Sequence, residues 1–161
     1  MKLTTDKWYA GLGKTGFIQN RKYWVPVLLW MSLIFWFSTG TFSAQNTALI
    51  IEPLLRFFMP SISVHGLWNI HLIIRKLGHL AVYFILGLLL FRSFRGNLSG
   101  AGILRLSACS ILCVVLYALS DELHQSYVSM RHASLFDVGI DTLGGILAQS
   151  VSVVWSYRHY K

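Results

Sequence analysis

Hydrophobic positions fall into four long runs separated by short polar or basic stretches. The runs predict membrane spans at about 23–38, 72–91, 106–120 and 135–157. In the first, YWVPVLLWMSLIFWFS, the pattern puts Pro26 in the opening turn, where its missing N–H does no harm, and reads Trp24, Trp30 and Trp36 as interface anchors. Between the first and second runs, Leu49, Ile50, Pro53, Leu54, Phe57 and Phe58 share one side of a helical pattern, with Glu52 and Arg56 on another. That arrangement predicts a short interfacial helix over 44–59, or alternatively a re-entrant segment, ended by Pro60. Residues 61–70 read as a loop. The fold class is therefore all-α: a polytopic integral membrane protein built as a four-helix transmembrane bundle, with one short interfacial or re-entrant helix between spans 1 and 2. A basic arm (1–22) precedes the membrane domain (23–157), and a short tail (158–161) follows it.

Composition supports this class: the 161 residues are 55% hydrophobic and only 12% charged, with a mean hydropathy of +0.56. The net charge of +8 would suit nucleic acid, but the basic residues sit at the ends of apolar runs, where membrane topology places them, so no nucleic-acid partner is implied. Counting Lys and Arg gives ten on one side (the arm, 92–105 and the tail) and four on the other: Arg56, Arg75, Lys76 and Arg131. Both termini are expected in the cytoplasm. Five of the six acids and five of the six histidines then fall on the outer side. Cys109 and Cys113, four apart in the third run, read as small buried hydrophobes and say nothing about compartment.

The outer side also carries the candidate chemistry. Fifteen residues separate Lys76 from Arg92, and fifteen separate Arg105 from Asp121; each stretch is about 22 Å of helix, short of a hydrocarbon core about 30 Å thick. The helices must continue past these charges, leaving Lys76, His79, Asp121 and Gln125 just below the outer interface. Lys76, His79, Leu80 and Tyr83 share one helix face, and Tyr117, Asp121 and Gln125 share another. On the fourth run Asp137 and Asp141 stand above Gly144, Gly145 and Ala148, and Gly144 with Ala148 forms a small-xxx-small pair that admits a close neighbour. Some of these residues have plainer readings. Ser134 and Asp137 fit a capping box, Asp141 could pair with Lys76 or Arg131 as a helix lock, and Glu122, about 100° from Asp121 around an ideal helix, could meet solvent. His124, His79 and Asp121 would make a metal set only if three helices aligned, so no metal is assigned, and no nucleotide or hydrolase fingerprint implies a cofactor.

RKLGHLAVYFILGLLL, SDELHQSYVSMRHASLFDVGIDTLGGILAQ and the exit of the first run, FWFSTGTFSAQ, together resemble the VanZ-like membrane proteins. That family's pattern is a Lys-x-x-His-x-x-x-Tyr helix start, an Asp-Glu-x-x-Gln segment, an Arg in the next loop, and Asp-x-x-x-Asn-x-x-Gly. The resemblance covers roughly 23–157 and, position by position, marks Lys76, His79, Tyr83, Asp121, Glu122, Gln125, Arg131, Asp137 and Gly144. Asp141 departs from it, standing where the family usually has Asn. The family takes its name from a low-level teicoplanin-resistance phenotype, so the resemblance implies a cell-envelope role.

Two function classes follow. In one, a binding protein uses the polar cluster to hold a membrane lipid, a lipid-linked or glycopeptide ligand, or a partner at the outer face. In the other, an enzyme acts on a lipid-linked head group: Asp121, His79 and Asp141 supply acid–base catalysis, and Lys76, Tyr83, Glu122, Gln125, Arg131 and Asp137 bind. A proton-coupled carrier is the weaker alternative, because no charge falls near mid-span.

Overall fold

The computed structural model describes residues 15–98, 100–128 and 133–159. They form five α-helices: α1 (Thr15–Phe37), α2 (Ala44–Phe58), α3 (Val64–Asn97), α4 (Ile103–Ser126) and α5 (Leu135–His159). A 3₁₀ turn, Gly40–Phe42, joins the first two. Among the described residues, α3, α4 and α5 are long and apolar enough to cross a membrane. From Arg21, α1 offers about 25 Å of helix, less than a hydrocarbon core. It passes the same standard only together with Gly40–Phe58, from which it is bent by 65°. Three candidate spans thus stand where four were expected, or four if the bent pair is one crossing.

Neighbouring contacts set the direction of each helix. Trp24 meets Phe94 edge-on at 5.5 Å between ring centres, and Trp30 Nε1 donates to the Val82 carbonyl at 2.8 Å, so α1 lies antiparallel to α3. Tyr117 donates to the Met31 carbonyl at 2.6 Å, and His124 Nδ1 lies 3.4 Å from Ser38 Oγ, which sets α4 parallel to α1. Helices α3 and α5 share the largest interface and run parallel: Lys76 stands opposite Asp137, and Arg95 opposite Ser156. The ends of α1 and α4 and the beginnings of α3 and α5 therefore meet at one end of the bundle. Trp30 corrects the expectation of a simple interface anchor. A half-buried indole N–H needs an acceptor, and the α3 backbone provides one.

The α3–α5 interface depends on small residues. A Cβ on Gly144 would lie 2.5 Å from the Leu80 carbonyl oxygen and 3.1 Å from the Phe84 nitrogen, and one on Gly87 would lie 2.8 Å from Ala148 Cβ. Gln149 adds a buried bond from Nε2 to the Gly87 carbonyl at 3.0 Å. Beside them Val27, Ile34, Tyr83, Leu86, Leu90, Val114 and Ala118 form the buried apolar core. The stripe inferred from Gly144, Gly145 and Ala148 is thus the surface that lets the backbones close.

Three local expectations change. Helix α3 begins at Val64, inside the expected loop, because Ser63 Oγ accepts the Gly66 N–H at 3.1 Å and caps it. Pro26 lies inside α1, which starts at Thr15; its removed hydrogen bond is of the kind membrane helices tolerate. Helices α3 and α4 also extend past the expected spans, to Asn97 and Ser126. Helix α2 buries none of its residues, and Leu49, Ile50, Phe57 and Phe58 are each more than 70% exposed. Thr47 Oγ1, 2.9 Å from His71 Nε2, ties its first turn to α3.

Candidate functional site

Where the four long helices meet, a cavity of about 310 Å³ opens between α1, α3 and α4. One wall is apolar, from Ile34, Phe37, Phe42 and Val82; the other carries Arg75, His79, Tyr83, Asp121 and Gln125. Successive turns of α3 supply Arg75, Gly78, His79 and Val82, spaced i, i+3, i+4 and i+7. Gly78 meets nothing within 4 Å of where a Cβ would stand, so a side chain there would enter open space.

Hydrogen bonding in this region is incomplete. Gln125 Nε2 donates to Asp121 Oδ2 at 3.0 Å within one turn of α4. The other oxygen, Oδ1, is buried without a partner among the described residues, as is the Tyr83 hydroxyl. Leaving buried polar atoms unsatisfied costs about 1–3 kcal/mol each, so two together on one cavity lining are a marked expense.

Behind the cavity, His79 Nδ1 lies 3.1 Å from Asp141 Oδ1, and Asp141 is fully buried. This contact fixes the imidazole edge that faces α5 and leaves Nε2 as its second polar atom. Lys76 pairs with Asp137 at 3.2 Å and lies 4.2 Å over the Phe136 ring, half-exposed and outside the cavity lining. Asp141 was read as a possible partner of Lys76 or Arg131, but its observed partner is His79. The parallel register of α3 and α5 instead puts 76 opposite 137 and 79 opposite 141. Arg131 lies outside the described residues.

Glu122 has a different setting from the expected solvent contact: it is buried, and its Oε2 accepts the Ser134 backbone N–H at 2.7 Å. Ser134 Oγ accepts the Phe136 N–H at 3.2 Å. In a capping box Asp137 would reach back to the Ser134 N–H, but Glu122 takes that donor from α4 and Asp137 turns to Lys76. Glu122 thereby clasps α4 to the start of α5.

His124 faces Phe35, with ring centres 4.4 Å apart, away from any metal set with His79. Among the described residues no three His, Cys, Asp or Glu side chains gather as a metal site. Sequence reasoning missed Arg75 as a lining residue. It stands one turn before His79, and its Nη1 donates to the Phe42 carbonyl at 3.0 Å; the i, i+4 spacing from His79 was the available signal.

Such an arrangement, apolar helices closing around a polar pocket near one end, defines a helical membrane protein with an internal polar site. The chain belongs to the VanZ-like family: the VanZ/LLP1 family model matches residues 23–156. No curated protein and no solved structure matches it.

Proposed function

We propose that this VanZ-type membrane protein binds the polar head group of a membrane-resident envelope component in the cavity at its outer face, and that it contributes to glycopeptide (teicoplanin) resistance by holding or modifying that component. In this reading α1 is a fourth crossing, α2 lies in the outer interface, and both termini are cytoplasmic. A C-terminal reporter active only outside the cell would refute the orientation.

The observation that carries the reading is the cavity's two-sided lining. Its polar wall holds a buried carboxylate oxygen and a buried hydroxyl without partners among the described residues, beside Arg75 and His79, and its other wall is mainly apolar. A ligand with a hydroxylated or phosphorylated head and an apolar tail matches both walls.

Two variants test the site. Asp121→Asn changes the carboxylate, and Gly78→Leu fills the space while removing a helix-destabilising glycine. Each should lower labelling by a photoreactive polyprenyl-phosphate probe, and with it teicoplanin tolerance, by about 10-fold or more at an unchanged melting temperature. Asp141→Asn, the usual family residue, should behave near normally. If every loss follows a fall in melting temperature, the residues serve only as a helix lock and the reading fails.

The enzymatic reading draws on the His79–Asp141 contact. A carboxylate on Nδ1 orients an imidazole so that Nε2 can accept a proton from an attacking water or hydroxyl. Turnover of a lipid-linked head group by the purified protein, lost in His79→Gln while probe labelling persists, would establish this over binding alone.

A further inference from the structure

Three helices bound the cavity beside Asp121 and Tyr83, and two of the three seams between them are shut. Tyr83 packs into the core with Val114 and Ala118, its ring 6.3 Å from that of Tyr117, which closes α3 on α4. Between α1 and α4, Tyr117 bonds the Met31 carbonyl, and the His124 ring lies against Phe35. Ile34 and Asp121, which stand between those two contacts, are buried.

The third seam, between α1 and α3, is bridged at both ends and open in the middle. Arg75 donates to the Phe42 carbonyl at one end, and Trp30 donates to the Val82 carbonyl at the other. Between these bridges α3 presents Gly78 and Ala81, both exposed, and a Cβ on Gly78 would meet nothing within 4 Å. Across the opening, Phe37 and Phe42 form the facing wall, their rings edge-on at 4.9 Å.

Gly78 belongs to two surfaces at once. It lines the cavity, and it stands on the stripe Ile74, Gly78, Ala81 and Ile85, spaced i, i+4, i+7 and i+11, which α3 turns outward. Ile74 and Ile85 are 42% and 36% exposed. The two positions between them are small, so the stripe is notched where it meets the cavity. From Leu77 to Phe91, α3 carries no Lys, Arg, Asp or Glu. The notch therefore faces hydrocarbon, starting roughly 3 Å below Lys76 along the helix.

We infer that the notch at Gly78 and Ala81 is a lateral portal, through which the cavity takes the head group of a lipid built on one apolar chain while that chain stays in the bilayer along Ala81. The inference rests on the head-group reading above and names how the ligand arrives and which residues select it. A head group that moves sideways through this seam never carries its chain across water, and a notch two small residues wide suits one chain.

The test uses the full-length protein in phosphatidylcholine nanodiscs with two photoreactive probes: a long-chain polyprenyl phosphate delivered in the bilayer, and dimethylallyl phosphate with the same reactive group, added from water. Ala81→Trp lies on the outward stripe and off the cavity lining. It should slow labelling by the long-chain probe about 10-fold or more, as overpacking a fitted contact does, with the melting temperature and labelling by dimethylallyl phosphate unchanged. Ala81→Leu should lose less in the same direction. Leu116→Trp, at an exposed position on α4, should change neither probe. Full long-chain labelling in Ala81→Trp would overturn the portal and leave the head-group reading standing. An equal loss of both probes, or an equal loss in Leu116→Trp, would overturn it too, because the effect would then belong to the head group or to the bilayer. Failure of both probes to label the unaltered protein would strike the head-group reading and the portal with it.

Discussion

Helices α3 and α5 are joined in two ways along one interface. Near their beginnings, Lys76 meets Asp137 and His79 meets Asp141. Within the next turn Gly144 lies against the backbone at Leu80, and about two turns on Gly87 lies against Ala148. The charged contacts are adjustable: one is half-exposed, and the other joins a cavity-lining imidazole to a buried acid. The glycine contacts have no slack, because the atoms they meet are backbone or a packed methyl. Holding the helices at the glycines leaves the charged end free to leave oxygens unsatisfied, which an interface relying on those charges for its stability could not do.

Substitutions at the two kinds of contact should separate sharply. The largest effect is expected from Gly144→Val. Its new Cβ would overlap the Leu80 carbonyl oxygen, which cannot move without shifting α3, so the helices must part at a cost of at least about 3 kcal/mol. Reduced membrane abundance and a collapsed melting transition would register it; an unchanged melting temperature would remove the glycine seam as the fastening. The smallest is expected from Lys76→Gln. With its side chain 42% exposed, the ion pair should contribute only about 0–1 kcal/mol. A large loss of stability there would reverse the comparison and make the charged end the fastening.

Much of this division is legible in the residues themselves. Polar groups in an apolar run are rare enough to mark a face, so the spacing of Lys76, His79, Asp137 and Asp141 assigns them to facing surfaces. Gly144 with Ala148 announces a close approach. What the residues do not carry is rotation. Helices apolar on most sides have little amphipathic signal to say which side meets which neighbour, so Arg75 on the cavity and Lys76 outside it, only 100° apart on an ideal helix, are not separable by pattern. Glu122 was misread for a related reason: its partner is a backbone N–H beyond a turn, and no side-chain pattern advertises it. Ser63 was missed as a cap because Ser and Gly near a proline read equally well as a loop.

The parallel course of α3 and α5 also bears on how the protein is made. Helix α4 emerges between them, so the strip of α3 that packs on α5, with His79, Leu80 and Gly87, has no permanent partner while α4 is being inserted. It gains one only when the last helix leaves the ribosome. The cell then meets a nascent chain in which the His79 imidazole, later paired with Asp141, is open to lipid until synthesis is nearly complete. A stalled or C-terminally shortened chain would expose that same surface to membrane proteases, giving quality control a direct signal that the protein is unfinished.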